Sequence, residues 1–453
     1  MNKLLRTIIM GSVLSFCIEA HAQCNRFHAS TLHANGVPSA NWRTDYPTAP
    51  PRDFKAPWLE IDFVSNPVKY MQSVLESVRN DFERSDQHKR LIPKEDAQWW
   101  ISLWLDYGPF GREPRMGLTK ERGPDPGDLS PTNVDGHQVW AVGFYNARGA
   151  SVLGNVFSDP CNPNVPRNVK FPEGTVAIKF LFTDAPIEEV KYLGGAPEYE
   201  AFIDEAGAGS DDRPVTNRKP RELRLLQVDI ATKDSDARTT NWVFGTFAWI
   251  GPKAGDGLFD NLIPVSLQWG NDPNVYDDNV VESWINSQLR GTLYGWKSRP
   301  HLGFNGRANG PADNIRSSCL SCHAAARVRR SEKGILNRNF DMTSAISDMI
   351  LVKEHVDTWF TNLSSGSFFH PGSKRRKIAA LDYSLQLDAA IWRMCQACQY
   401  GGLIGVTPEM CRKAGYFSES HCGMMASLLR PQSRQDPVSV SRPMNQYQFP
   451  PRQ

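Results

Sequence analysis

The sequence predicts an α+β protein: a β-rich, sandwich-like N-terminal and middle part, followed by a C-terminal α-helical domain. Three observations predict it. Between about 136 and 270, short runs of alternating polarity are separated by Gly, Pro and Asp clusters. From 319 onward, apolar residues recur at helical spacing. At 453 residues the chain exceeds the length over which one hydrophobic core keeps growing, so two or three domains are expected. The expected divisions are 1–22, a mixed region 23–135, a β-rich domain 136–299, a helical domain 300–430 and a tail 431–453 rich in Pro, Gln and Arg.

The first 22 residues carry Lys3 and Arg6, then an apolar stretch from Leu4 to Ile18, then Ala20-His21-Ala22. This is the charged, apolar and A-x-A order of a secretory signal peptide, with cleavage expected before Gln23 and a periplasmic address for the product. The apolar part is too short for a lasting anchor, and no later segment reaches membrane-helix length, so no transmembrane anchor is expected in the mature chain. Residues 24–60 read as an extended arm. Asn66-Pro67 then opens a helix with Val68, Met71, Leu75, Val78 and Phe82 on one face. The run Trp99 to Leu105 is ambiguous in type. Four strands follow: Val139–Tyr145, Thr175–Phe182, Arg224–Ile230 and Trp242–Ile250. In the second, Val176, Ile178, Phe180 and Phe182 share one face, and Ala177 and Lys179 the other. Such strands imply a sandwich or barrel whose core takes Trp140, Phe144, Trp242, Phe244, Phe247, Trp249 and Trp269. A short helix is expected around Val280–Leu289. Two longer ones are expected from Met342 to Phe360 and from Leu381 to Met394, with the loop Ser364–Lys377 between them.

Lys and Arg number 51 against 49 Asp and Glu, a formal +2, and no basic block beyond Lys374–Lys377 suggests nucleic acid. That run has two readings, a docking patch for an acidic redox partner and a solvated loop, and short charge runs favour the loop. No G-x-S-x-G, H-E-x-x-H, P-loop or dinucleotide glycine pattern occurs. Asp277-Asp278 fits no calcium-loop spacing and is left unassigned.

The specific chemistry lies at Cys319-Leu320-Ser321-Cys322-His323. Two thiols three residues apart share one side of a helical turn, where they can reach the two vinyl groups of a haem. A His directly after the second thiol can take the iron. With nine Cys and ten His in the chain, a chance C-x-x-C-H is expected in roughly 0.4% of shuffled sequences. A zinc site would need a second Cys or His pair at finger-like spacing. A thiol-disulfide enzyme would place its C-x-x-C near the chain start in a βαβ context. Neither condition is met. Cys395-Gln396-Ala397-Cys398-Gln399 has the thiol spacing, but Gln399 stands where the axial His is needed, so one haem is expected. The six remaining thiols of the mature chain read as disulfides: Cys24 with Cys161, and two bridges among Cys395, Cys398, Cys411 and Cys422.

Behind a secretory signal, this motif resembles the c-type cytochromes over itself and about 130 following residues. The resemblance implies one covalent haem c, with thioethers at Cys319 and Cys322, His323 as proximal iron ligand, and one-electron exchange with a periplasmic redox partner protein. Small members of that class take a Met from the loop before the last helix. Here the loop Ser364–Lys377 holds no Met but does hold His370, the leading candidate for the sixth ligand, followed by Met342 and Met349, with His355 and His301 behind. The competing reading is a haem-dependent, peroxidase-like oxidoreductase in which the β-rich domain binds substrate. A third is a binding or sensing module.

Overall fold

In a computed structural model, the described residues are 42–82, 94, 96–102, 118–121, 123–124, 127–131, 137–158, 163–166, 168–204, 218–251, 259–293, 302–331, 334–337, 356–357, 359–367 and 378–391. The expected signal segment, the tail, His301, His355, His370, Met342, Met349 and all cysteines except Cys319 and Cys322 lie outside them.

Helix α1, Pro67–Phe82, forms where the sequence predicts it. Its buried stripe is Tyr70, Met71, Val74, Leu75, Val78 and Phe82, whereas Val68 is 38% exposed. The stripe is therefore rotated slightly from the expected one. Tyr70 causes the rotation, because its hydroxyl reaches the buried Thr232 Oγ1 at 2.7 Å and Asp234 Oδ2 at 2.9 Å.

The strands are β1 Trp99–Ile101, β2 Thr119–Lys120, β3 Val139–Asn146, β4 Val176–Thr183, β5 Glu198–Asp204, β6 Arg218–Lys233, β7 Trp242–Trp249, β8 Leu262–Gln268 and β9 Ser283–Ile285. They form one antiparallel sheet ordered β1-β3-β4-β6-β7-β8-β9, with β2 also on β3 and β5 also on β6. All four expected strands are present. The expected helix at Val280–Leu289 is instead β9 and a single 3-10 turn, Ser287–Leu289.

The sandwich is replaced by a sheet with a helical cover. Val142, Phe144, Val176, Ile178, Phe180, Phe182, Val228, Ile230 and Phe247 point to one face, and α1 closes it as a single apolar core. Gly245 permits this approach, since a Cβ there would lie 3.2 Å from the Met71 methyl and 3.0 Å from Leu267. The expected aromatic core is split between faces. Trp140, Phe144 and Phe247 belong to the α1 side, while Trp242 and Phe244 pack on the opposite side with α2, Ala147–Val156.

The helical C-terminal domain needs correction among the described residues. The C-x-x-C-H segment is one short helix, α3 Cys319–His323, and it is followed by β10 Arg327–Ser331 and β11 Gly334–Asn337. With β12 Ile378–Ala380 these form a three-stranded antiparallel sheet. Residues 385–391 are helical, within the expected Leu381–Met394 span. Leu320, Leu381, Leu387 and Ile391 pack with Trp242 and Phe244, so the motif is docked on the large sheet.

Candidate haem-attachment site

A serine capping box starts α3. The Ser318 hydroxyl accepts from the Ser321 amide at 3.1 Å, and the Ser321 hydroxyl accepts from the Ser318 amide at 2.8 Å. The helix is too short to hold itself, so its neighbours hold it. Leu320 N donates to Gln268 Oε1 of β8 at 2.9 Å, Cys319 N to Ala308 O at 3.1 Å, and the Ser318 hydroxyl to Asn271 Oδ1 at 3.0 Å. Gln268 is buried, and its Nε2 donor has no partner among the described residues.

Cys319 and Cys322 are half-buried and stand one turn apart. Cys319 Sγ lies 3.8 Å from Asn309 Oδ1. Burial, reinforced by the charges of Asp313 and Asp229, pushes its thiol well above the usual range. Cys322 packs beside Ala325, Trp359 and Phe360 in a separate apolar patch.

His323 ends α3. Its ring lies 4.5 Å from the Phe244 ring, centroid to centroid, at 43°. Burial lowers its pKa to about 4, although the Tyr383 carbonyl pulls the other way. The imidazole is therefore neutral at physiological pH. Its Nδ1 lies 2.8 Å from the Tyr383 carbonyl oxygen. A carbonyl can only accept, so Nδ1 carries the proton and Nε2 carries the lone pair. An imidazole whose second nitrogen donates to a carbonyl has the outer-shell arrangement of a metal-ligating histidine.

The sheet face around Phe244 is polar toward its middle. Gly143, Lys179, Asp229, Thr246 and Ser266 align across β3, β4, β6, β7 and β8, next to the row Tyr145, Ala177, Ala231, Phe244 and Gln268. Asp229 accepts from Thr246 Oγ1 at 2.8 Å and from Gln227 Nε2 at 3.0 and 3.1 Å. The same Gln227 amide lies 3.4 Å from Asp313 Oδ2. Burial and then the Asp313 charge push Asp229 up to about 7. Lys179 pairs with Glu121 at 2.9 Å. Lys179 and Asp313 are close enough to bias His323 electrostatically, in opposite directions. Gly310 lets its loop approach this cluster closely, since a Cβ there would displace the Gln227 amide and the Asp313 carboxylate.

The structure thus brings Cys319, Cys322 and His323 together. The partners that sequence reasoning missed are the Tyr383 carbonyl and the Asp229–Asp313 pair; Phe244 stood among the aromatics of the β region, read chiefly as core and otherwise as a platform near the haem edge, and Lys179 left a trace on the alternate face of its strand. Among the described residues, no group of three or more His, Cys, Asp or Glu is arranged to hold a bare metal ion. No helix there is long and apolar enough to cross a membrane. Fold and site together define a class: a large antiparallel sheet, closed on one face by a helix, with a C-x-x-C-H turn docked on the other. Set against protein-family models, curated proteins and solved structures, the chain matches none.

Proposed function

We propose that this chain is an exported c-type haem protein that carries one covalent haem at Cys319 and Cys322 and transfers electrons. The observation that carries the reading is the Nδ1 bond of His323 to the Tyr383 carbonyl. It fixes the tautomer and leaves the Nε2 lone pair for iron, while burial, not this bond, keeps the ring neutral. The donor set fits: two cysteines one helical turn apart, and a neutral imidazole directly after them. Haem would need only this one nitrogen from α3, since the porphyrin brings its own four donors to the iron. When bound, the group supplies iron that cycles between ferric and ferrous states.

The chain's residues have separate tasks in this reading. Cys319 and Cys322 would hold the macrocycle, while Gln268, Ala308 and Asn271 hold the turn that presents them. Phe244 seats the imidazole, and Cys322, Trp359 and Phe360 supply an apolar flank. His370 remains the leading sixth ligand on sequence grounds. The polar row on the sheet favours a second reading, haem-dependent oxidoreduction. Asp229, pushed up to about 7, can hold or release a proton near neutral pH.

The test is the mass of the mature protein under denaturing conditions, together with its optical spectrum. The unmutated chain should carry one added haem, and Cys319→Ala/Cys322→Ala none. A mass of apoprotein, or of two haems, refutes the reading. A low-spin spectrum indifferent to carbon monoxide supports the carrier, and a high-spin ferric state that reacts with peroxide supports the oxidoreductase.

A further inference from the structure

The acceptor of the His323 bond sits in an unusual turn. Ser384 N donates to Leu381 O at 3.0 Å, closing a four-residue turn whose central residues, Asp382 and Tyr383, have φ of +49° and +65°. Two successive positive φ values are the pattern of a type I′ turn, which favours Asn-Gly. Asp tolerates the left-handed region, but a bulky Tyr does not do so readily. Such a conformation persists only where its surroundings over-determine it.

The surroundings here converge on one carboxylate. Asp382 is fully buried and accepts from Lys233 Nζ at 2.9 and 2.8 Å, Ser365 Oγ at 2.7 Å, Trp242 Nε1 at 3.2 Å and Phe171 N at 2.8 Å. The ammonium that meets it is also buried, at 5% exposure for Lys233, and lies 4.9 Å from the Trp242 ring centre. The turn is held at both ends: Tyr383 donates its hydroxyl to Leu363 O at 2.7 Å, and Ser384 Oγ meets the Tyr145 hydroxyl at 2.7 Å. A buried ion pair is weak evidence of stability, because desolvation offsets attraction, and its better-attested use is to specify one geometry.

We infer that Asp382, clamped by Lys233 of β6, is a positioning residue for His323: it holds the left-handed turn that aims the Tyr383 carbonyl at Nδ1. The inference rests on the haem reading for its redox consequence, though not for its geometry. A carbonyl on Nδ1–H raises the basicity of the imidazole and favours ferric iron. Releasing the carbonyl therefore raises the reduction potential.

The test uses the full chain and two double variants that remove the buried charges together, so that no unpaired ion is left behind. Lys233→Met/Asp382→Ala removes the clamp and places a β-carbon residue with no polar arm in the left-handed region. Lys233→Met/Asp382→Asn keeps a short acceptor that tolerates that region. In protein shown by mass to carry haem, the Ala variant should raise the ferrous-to-ferric ratio at fixed potential about tenfold, an upward shift of about 59 mV for one electron. The Asn variant should recover most of the shift. Equal potentials in all three proteins overturn the inference and leave the haem reading intact. Should the unmutated chain take up no haem, the haem reading fails by itself, and the inference is read from the His323 ring nitrogens by 15N NMR. The Nδ1–H tautomer should dominate in the unmutated and Asn chains and give way to a mixture in the Ala chain. An unchanged tautomer overturns it.

Discussion

Replacing Asp229 by Asn should make the protein more stable at pH 8 than the unmutated chain, by more than it does at pH 5. The carboxyl is pushed from 3.8 to about 7 by burial first and by Asp313 second, with the Thr246 and Gln227 hydrogen bonds opposing. A native-state value above the unfolded one means that the folded chain binds more protons between about pH 4 and 7. Stability from this group is therefore present below pH 4 and is lost as pH rises through that window. At about 1.4 kcal/mol per unit, the rise sets a ceiling of about 4 kcal/mol. The two carboxyls titrate together and Lys179 stands nearby, so the difference carried by Asp229 alone should be about 2 kcal/mol. Asn keeps an acceptor for Thr246 Oγ1 and has nearly the same shape, which limits the packing cost. The assay is urea unfolding of both proteins at pH 5 and pH 8, compared as the change in extrapolated stability. Asp313→Asn serves as a companion, since removing that charge should lower the Asp229 value and flatten the same pH dependence. An Asn variant whose advantage is the same at both pH values, or larger at pH 5, would refute the electrostatic reading of this face.

Two further outcomes test other parts of the molecule. Tyr70→Phe removes the hydroxyl that meets Thr232 and Asp234 in the α1 core, and should cost about 1–3 kcal/mol in chemical unfolding; no measurable loss would mean that the rotated stripe of α1 has another cause. His370→Ala should convert a low-spin spectrum to high-spin and open the iron to carbon monoxide, whereas Met342→Ala and Met349→Ala should leave it unchanged; a long-wavelength ferric band of methionine ligation in the unmutated protein removes His370 from consideration.

Periodicity made α1 and the four central strands legible, because their apolar residues recur with the spacing their backbones impose. It says which side chains share a face but not what covers that face. Hence Val176, Ile178, Phe180 and Phe182 were correctly grouped, while the cover proved to be α1 and not a second sheet. Tyr70 was missed for a related reason: its burial depends on Thr232 and Asp234, which lie 162 and 164 residues away. The strands after the motif fall where the sequence reads as helical: β10 pairs locally with β11, Ser331 with Gly334, but its other partner is β12 across a long gap, Arg327 with Ala380, and that pairing has no local signature. Of the site, Cys319, Cys322 and His323 were legible as a motif. The Tyr383 carbonyl was not, since every residue has a carbonyl. Asp382-Tyr383 also lacks the Asn-Gly composition that announces a type I′ turn.

The two faces of the sheet carry unequal burdens, and this separates stability from function in a testable sense. The α1 face is apolar throughout its centre: Phe82, Phe144 and Phe180 meet edge-on or tilted at centroid distances of 5.0 to 6.4 Å. A truncation such as Phe82→Ala there removes packing, with an expected cost of about 3–5 kcal/mol. It leaves the field at His323 unchanged, because no charged group moves. The opposite face holds three charged groups, Lys179 with Glu121, Asp229 with Asp313 through Gln227, and Lys233 with Asp382. Coulomb terms inside a protein decay slowly with distance, so a change there alters the environment of His323 even where the fold survives. The strands carry both rows at once, by the alternation that puts Ile178 under α1 and Lys179 on the other side. One sheet therefore anchors the apolar core and sets the electrostatics of the candidate iron ligand.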